Sequence, residues 1–466
     1  MKTYKSLTEQ SFHKFPNKIF SLEENKLTFH GIQLERVIKR HGTPLKINYL
    51  PRIKFNIRRA KKWFEDAFKQ YNYQGNYIYA YCTKSNHFKF VLDKVIEHGD
   101  ALETSSAFDI PIIHSLINSN KIKPDMPIIC NGFKQEAYAQ GIVDLINQGY
   151  SCFPVLDSTL EWEYYKDSCN KPFSYGIRKI ADEEPDTPYY TSRFGLPADE
   201  IIRFVKETLM QSTAGQLKIL HFFINTGMKD SAYFWNELDK LMHLFVDIRQ
   251  LTQSLSMIDL GGGLPILSDI ENSFDYAQLI NAIVSFISDY CKRHAVPTPD
   301  LITEFGRFTV GETGALFYSV LEQRKQSKYV KWYMIDGSFI THLPDAWGLN
   351  EKYILLPING WDHLFTNVNL GGLTCDEKDY YISEAHSAEL FLPELGKGPL
   401  YIGFFHTGAY QEALGGYGGI QHCLIPSPKH VVIDRDSRGE LTEYVFREQE
   451  SPERMGDILG YGLSNH

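Results

Sequence analysis

The 466-residue sequence contains no run of 18 consecutive apolar residues, so no hydrophobic helix long enough to span a bilayer is expected. Its opening stretch, MKTYKSLTEQSFHKF, lacks the apolar centre of a secretory signal. Against a formal net charge of -9 no block of Lys and Arg stands out, which argues against a surface dedicated to nucleic acid. The seven cysteines, at 82, 130, 152, 169, 291, 375 and 423, include no CxxC pair. An odd, scattered set without an export signal predicts reduced thiols in a cytoplasm rather than a disulfide framework. Neither HxxxH nor any cysteine pair shows metal-ligand spacing, and no metal is expected. Repeats and low-complexity linkers are missing too. What remains is ordinary globular composition, 43% hydrophobic and 23% charged, with aromatics somewhat rich at 14%.

From residue 77 the chain alternates short apolar runs with longer amphipathic stretches. The candidate strands are YIYAYC (77–82), ALET (101–104), MPIIC (126–130), CFPVL (152–156), FSYGI (173–177), LKILHF (217–222), SMIDL (256–260) and LITEF (301–305). Helical stretches lie between them, such as PADEIIRFVKETLMQ (197–211) and the segment after Phe274, where Ile280, Ile283, Val284 and Ile287 keep a helical period. Eight strands alternating with helices predict a (β/α)8 barrel over 46–308. After residue 310 the pattern changes to β-prone runs, ALFYSVL, KWYMIDG, PLYIGFF, HVVID and LTEYVF, broken by turn residues. Residues 309–466 therefore read as a second, mostly β domain of sandwich-like or barrel-like form. The first 45 residues look more β than α and are expected to join it.

Barrel active sites sit at the C-terminal ends of the strands. There the sequence places Lys84 after the first strand, His221 at the end of the sixth, Gly261, Gly262 and Gly263 after the seventh, and EFGR (304–307) at the eighth. Three glycines let backbone N–H groups approach an anion closely, though alone they equally describe a tight loop. Arg307 after Gly306 adds a fork suited to phosphate, and Glu304 supplies an acid. A strand-end lysine can hold a charge partner or, with a depressed pKa, act as an amine nucleophile. A cofactor with a phosphate tail, an aldehyde and a ring nitrogen uses all of these groups, and pyridoxal 5'-phosphate is such a cofactor. A phosphate-binding lyase of another kind is the competing reading. Cys82 reads as small apolar packing, and His41, His87 and His406 as hydrogen-bonded or surface histidines.

These motifs resemble the pyridoxal-phosphate-dependent basic amino acid decarboxylases of the alanine-racemase fold, and most closely the biosynthetic arginine decarboxylases. The resemblance runs from HGTPL (41–45) to the end. YAYCTKSN is similar to the cofactor-lysine motif, which implies a Schiff base on Lys84. IDLGGGLP resembles the phosphate loop. EFGR resembles the motif whose acid pairs with the pyridine nitrogen and whose Gly-Arg end holds phosphate, implying those roles for Glu304, Gly306 and Arg307. GAYQEALG (408–415) implies a phosphate-bonding Tyr410. LTCDEKD (373–379) resembles a loop reaching into the neighbouring subunit, implying a homodimer or higher oligomer with shared sites. There Cys375 would deliver a proton and Asp376 would read the distal cation of the substrate, with Asp345 of LPDAWG (343–348) a second candidate.

YQGNY (73–77), IICNGFK (128–134), LPDAWG and GAYQEALG lean toward arginine as substrate, and thus toward agmatine and polyamine biosynthesis. Ornithine, lysine or meso-diaminopimelate are the alternatives, and a non-catalytic cofactor-binding homologue is the alternative from another class. Two departures stand out. HFFINTGM (221–228) keeps His221 but puts Phe223 where the family stacks a histidine on the cofactor, and Thr226 stands in for a missing phosphate-binding serine. The chain is also short for this group, which usually carries extra helical insertions.

Overall fold

The structure is a computed structural model that describes residues 2–11, 15, 19–181, 193–209, 215–268, 270, 274–328, 330–381 and 389–463. Its contacts divide the chain into two compact units. One comprises Ile53–Pro265 and Asp275–Thr309, the other Met1–Arg52, Ile266–Phe274 and Val310–His466.

The first unit is a closed parallel barrel of eight strands: β1 (Tyr77–Cys82), β2 (Ala101–Thr104), β3 (Ile128–Cys130), β4 (Cys152–Leu156), β5 (Phe173–Lys179), β6 (Gly215–Phe222), β7 (Met257–Asp259) and β8 (Asp300–Glu304). Neighbours in sequence are neighbours in the barrel, and β8 closes on β1 through Glu304 opposite Ala80. Strands buried on both faces read as continuous apolar runs, which is why they are visible in the sequence. Ala80, Ala101, Ile129, Val155, Ile219 and Ile302, each from a different strand, pack together as a layer of the core. Burying a side chain of Ile or Val size stabilises such a layer by about 1.5–3 kcal/mol.

The helix Tyr276–Arg293 buries Ile280, Ile283, Val284 and Ile287, the face its periodicity marks. The Asp275 side chain caps its start by accepting from Gln278 N at 2.9 Å. The 197–211 stretch is helical over Ala198–Phe204 and then widens to a π-helix over Val205–Leu209. Residues 210 and 211 lie outside the described residues.

The second unit is built on a nine-stranded sheet. Its main path runs Tyr380–Tyr381, Asn369–Gly371, Lys331–Ile335, Gly314–Lys325, Leu45–Tyr49, Lys429–Arg435, Leu441–Arg447. Leu400–Phe405 also pairs with Gly314–Lys325 and carries Ile354–Pro357 on its other side. Strand alternation sends Ala315 and Phe317 into one core, with Ile47, Phe405 and Val431, and Leu316 and Tyr318 into another, with Phe404 and Tyr333.

The expected border at 45/46 falls at the start of a strand that pairs on both sides within this sheet, so the contacts carry the second unit on to Arg52. The segment Ile266–Phe274 also leaves the expected barrel range for this unit, where Leu267 O contacts His406 Nδ1 at 2.8 Å. The first 45 residues are less β than expected. Two eight-residue helices, Tyr4–Ser11 and Leu34–His41, flank a small antiparallel sheet of Phe20–Glu23, Lys26–Phe29 and Ile32–Gln33. The second helix buries Leu34, Val37 and Ile38, a helical spacing inside a stretch that also alternates.

Among the described residues no helix is long and apolar enough to cross a membrane. All seven cysteines are free thiols.

Candidate active site

Lys84 leaves β1 in a single 3-10 turn, Thr83–Ser85. That turn is pinned by Asp109, whose Oδ1 accepts from Thr83 Oγ1 at 2.9 Å and whose Oδ2 accepts from the backbone N–H groups of Ser105 and Ser106. Lys84 Nζ donates to Glu103 Oε2 at 2.6 Å. The Glu103 side chain is fully buried, while 43% of the Lys84 side chain is exposed. Desolvation would lower the Lys84 pKa, but its electrostatic interactions with Cys82, Glu103 and Glu304 outweigh this and hold it well above the ordinary lysine value. The depressed pKa expected of a nucleophilic lysine is therefore not what this protein shows. The reason is Glu103, one of a ring of acids at the strand ends.

Glu304 ends β8 and is buried at 4% exposure. Asn131, just past β3, donates from Nδ2 to Glu304 Oε1 at 2.6 Å, and His221 Nε2 lies 3.5 Å from Glu304 Oε2. Burial would raise this carboxyl, but His221, Lys84 and the Asn131 hydrogen bond bring it down to about 2. Asp259, at the end of β7, is pushed the other way by burial and by the charge of Glu304. Two neighbouring acids thus divide their ionisation, with the charge on Glu304 and the proton on Asp259.

The glycine-rich turn fits tightly against these groups. A Cβ on Gly262 would lie 2.5 Å from Glu304 O, and one on Gly306 would lie 2.9 Å from Ser85 Cβ, beside Lys84. Any larger residue at either position would push the phosphate-loop motif away from β8, or the EFGR turn away from the Lys84 turn. Gly227 and Gly263 are in equally close approach, and Met228 N donates to Gly263 O at 3.1 Å. This joins the HFFINTGM segment to the GGG turn. Arg307 opens the short helix Arg307–Val310.

Phe223 is 40% exposed, with the Arg178 guanidinium 5.6 Å from its ring centroid. Burial lowers the Arg178 pKa, with Asp157, Glu304 and Glu103 opposing that effect. The Arg178 cation thus lies over an aromatic face.

Several buried atoms have no hydrogen-bond partner among the described residues: Glu103 Oε1, Asn131 Oδ1, His221 Nδ1, Asp259 Oδ2 and Thr226 Oγ1. Each such atom costs about 1–3 kcal/mol when left unsatisfied. Together with a glycine turn that a side chain would fill, they form a donor and acceptor set that fits pyridoxal 5'-phosphate. Glu103, Asn131 and Asp259 were not singled out from sequence. Their signal was a polar residue ending an apolar strand run, in ALET, IICN and MIDL.

The remaining sequence-predicted residues lie in the second unit. Tyr410 has φ 68 and precedes the helix Gln411–Gly415. Asp345 is fully buried, and its Oδ2 accepts from Gln411 Nε2 at 3.0 Å and faces Tyr353 OH at 3.5 Å. It thus belongs to a buried polar network within this unit. Asp376 is half-buried, and its Oδ1 accepts from Lys378 N at 2.8 Å. Cys375 beside it is exposed, with Sγ 3.3 Å from Cys423 Sγ. Hydrogen bonding to Cys423 and the charge of that thiol raise the Cys375 pKa. The loop is anchored by buried Asp379, which accepts from Phe339 N, Thr374 N and Thr374 Oγ1. His41, His87 and His406 all have hydrogen-bond partners, in Glu443, Asp109 and Leu267 O.

Residues 55–311 match the family described as pyridoxal-dependent decarboxylase, pyridoxal binding domain. A biosynthetic arginine decarboxylase of Prochlorococcus marinus (strain MIT 9515) is 28% identical over 310 residues, covering 62% of this chain and 47% of that protein. This match therefore spans about half the length of that relative. The biosynthetic arginine decarboxylase of strain MIT 9215 is 25% identical over 602 residues, covering 99% of this chain and 91% of its own. Among solved structures, the biosynthetic arginine decarboxylase of Campylobacter jejuni superposes with a TM-score of 0.82 at 19% identity, over 100% of this chain and 93% of its own. A diaminopimelate decarboxylase from M. jannaschii reaches 0.77 at 20% identity, over 95% and 97%. These two share the fold.

Proposed function

Because the chain belongs to the pyridoxal-dependent decarboxylase family, we propose that it converts L-arginine to agmatine and CO2, a step of polyamine biosynthesis, as a cytoplasmic homodimer or higher homo-oligomer with shared sites. The observation that carries the reading is Lys84 Nζ set 2.6 Å from buried Glu103 and under the charge of Glu304, which is itself clustered with buried His221 and Asp259. Arginine as substrate is supported by the relatives of that name and by the segments of the sequence that resemble theirs.

When bound, pyridoxal 5'-phosphate supplies an electron sink for the bond to the departing carboxylate. By the family resemblance, Lys84 would hold the cofactor, Gly261, Gly262, Gly263, Gly306, Arg307 and Tyr410 would hold its phosphate, Glu304 would serve its ring nitrogen, and His221 and Phe223 would bind its ring. Lys84 becomes nucleophilic only when its proton leaves, and Glu103 Oε2, whose pKa burial raises, is the nearest acceptor at 2.6 Å. Glu304, held ionised by His221 and Asn131, keeps a full negative charge in place without reorganisation during the reaction. Cys375 keeps its thiol proton, because its pKa is raised, and delivers that proton to the former α carbon. Asp376 accepts the guanidinium fork of the substrate. Asp345 is the second candidate, though its bonds to Gln411 commit it elsewhere.

A second reading rests on Phe223, which can stack on a ring but carries neither charge nor donor: a homologue that binds the cofactor without turnover. Both readings are tested by kcat/KM for L-arginine, L-ornithine, L-lysine and meso-diaminopimelate on one cofactor-loaded preparation. Arginine is expected to be highest. A higher value for any other substrate defeats the arginine assignment, and cofactor without CO2 release from any of the four establishes the second reading.

A further inference from the structure

Cys375 is 48 residues from Cys423 in sequence, yet their sulfurs are 3.3 Å apart, and His422 completes the group. One ligand atom from each of the three lies within 4.8 Å of the others, and all three residues are exposed. Spacing along the chain hid this constellation, since only His422 and Cys423 are adjacent.

The two segments are held by buried anchors, so the meeting of the thiols is built into the fold. On one side, Thr374 Oγ1 donates to Asp379 Oδ2 at 2.7 Å immediately before Cys375. On the other, buried Gln421 donates from Nε2 to Gly415 O at 3.0 Å and to Ser427 Oγ at 3.1 Å, immediately before His422. Ser427 N in turn donates to Glu450 Oε2 at 2.8 Å. Between these anchors, Cys423 and Leu424 both take φ 53, a left-handed backbone that side chains other than glycine seldom adopt twice in succession.

We propose that Cys375, His422 and Cys423 form a site for one thiophilic metal ion of the Zn2+ class. Two thiolates and one imidazole are the protein ligands, and a fourth position is left to solvent. Two thiolates on one tetrahedral zinc ion, each at about 2.3 Å, sit about 3.8 Å apart. The observed pair therefore needs to open by about half an ångström, within reach of exposed side chains. Binding expels the two thiol protons and requires the imidazole to be neutral, so affinity rises with pH. If Cys375 is the proton donor proposed above, the loaded site silences it, because the proton it would deliver has been displaced. This consequence alone rests on the functional reading; metal binding does not.

The test uses the full chain with its cofactor, freed of metal by a chelator and then titrated with Zn2+ against a chromophoric competitor, without substrate. One ion per chain is expected, with X-ray absorption showing two sulfurs and one imidazole nitrogen. C423S is expected to weaken binding about 100-fold and H422A about 10-fold, with circular dichroism and bound cofactor unchanged. Equal affinity in the wild type and in the H422A/C423S double variant overturns the proposal. So does failure of the anaerobically reduced chain to bind Zn2+ while exposure to O2 lowers its mass by two hydrogens, since O2 would then have oxidised the pair to a disulfide.

Discussion

Glu304 and Cys375 are both assigned to proton and charge control, yet the fold treats them in opposite ways. Glu304 is buried, gripped by Asn131 and His221, and its pKa is forced down to about 2. Cys375 is exposed on a loop of the other unit, with another thiol as its neighbour, and its pKa is raised. The barrel thus fixes charge ahead of any ligand, while the loop keeps a proton on a group free to be engaged. The proposed reaction would thereby separate permanent electrostatics, on Glu304, from proton delivery, on Cys375.

The sharpest way to break this comparison is to remove the fixed charge. E304Q leaves the side chain nearly isosteric but takes away the anion facing His221, and kcat is expected to fall about 10²- to 10³-fold with cofactor still bound. A fall of less than about 3-fold, in steady-state CO2 release, removes Glu304 from the account. D376N tests the loop from the substrate side. It should lower kcat/KM for arginine about 10- to 100-fold, the worth of a charge-assisted hydrogen bond, while cofactor absorbance stays the same.

Mixing inactive K84A chains with inactive C375A chains tests whether the two regions that act together come from different subunits. Random exchange makes half the dimers mixed, each with one intact site, so about a quarter of wild-type activity should return. Demonstrated chain exchange without recovery contradicts the shared site.

A separate effect concerns stability. His30, His342 and His430 are buried in the second unit, and burial lowers their pKa values, to about 3, to about 4 and well below the ordinary value. Between pH 6.5 and 4 the unfolded chain binds protons there that the folded chain refuses, so stability falls as pH falls. Each histidine contributes a slope of up to about 1.4 kcal/mol per pH unit in that window. Glu304 titrates lower and gives the barrel no matching loss there. Urea unfolding at pH 7 and pH 5 should show the loss in wild type and a smaller one in H342Q.

Much of the barrel is legible in the sequence because buried parallel strands are unbroken apolar runs; YIYAYC and ALET coincide with β1 and β2. The polar residues that end those runs are harder to value. A single glutamate in ALET looks like a strand boundary until closure of the barrel sets Glu103 against Cys82 and Lys84. The direction of the Lys84 pKa depends on that neighbour, and of the two readings of a strand-end lysine the charge partner is the one present. Leu45–Tyr49 shows the same limit at the scale of a domain, since only its pairing on both sides reveals which unit it joins. The nearness of Cys375 and Cys423 has no trace in spacing at all. It follows from the anchors Asp379 and Gln421, each of which is an ordinary polar residue in sequence.

The central claim, that the acid ring of the barrel serves an amine at Lys84, is tested most directly by borohydride reduction of the cofactor-loaded enzyme followed by peptide mass mapping. The account predicts one pyridoxyl adduct per chain, on the peptide containing Lys84, and none in K84A. An adduct on another lysine, such as Lys134 or Lys179, with Lys84 unmodified would contradict it.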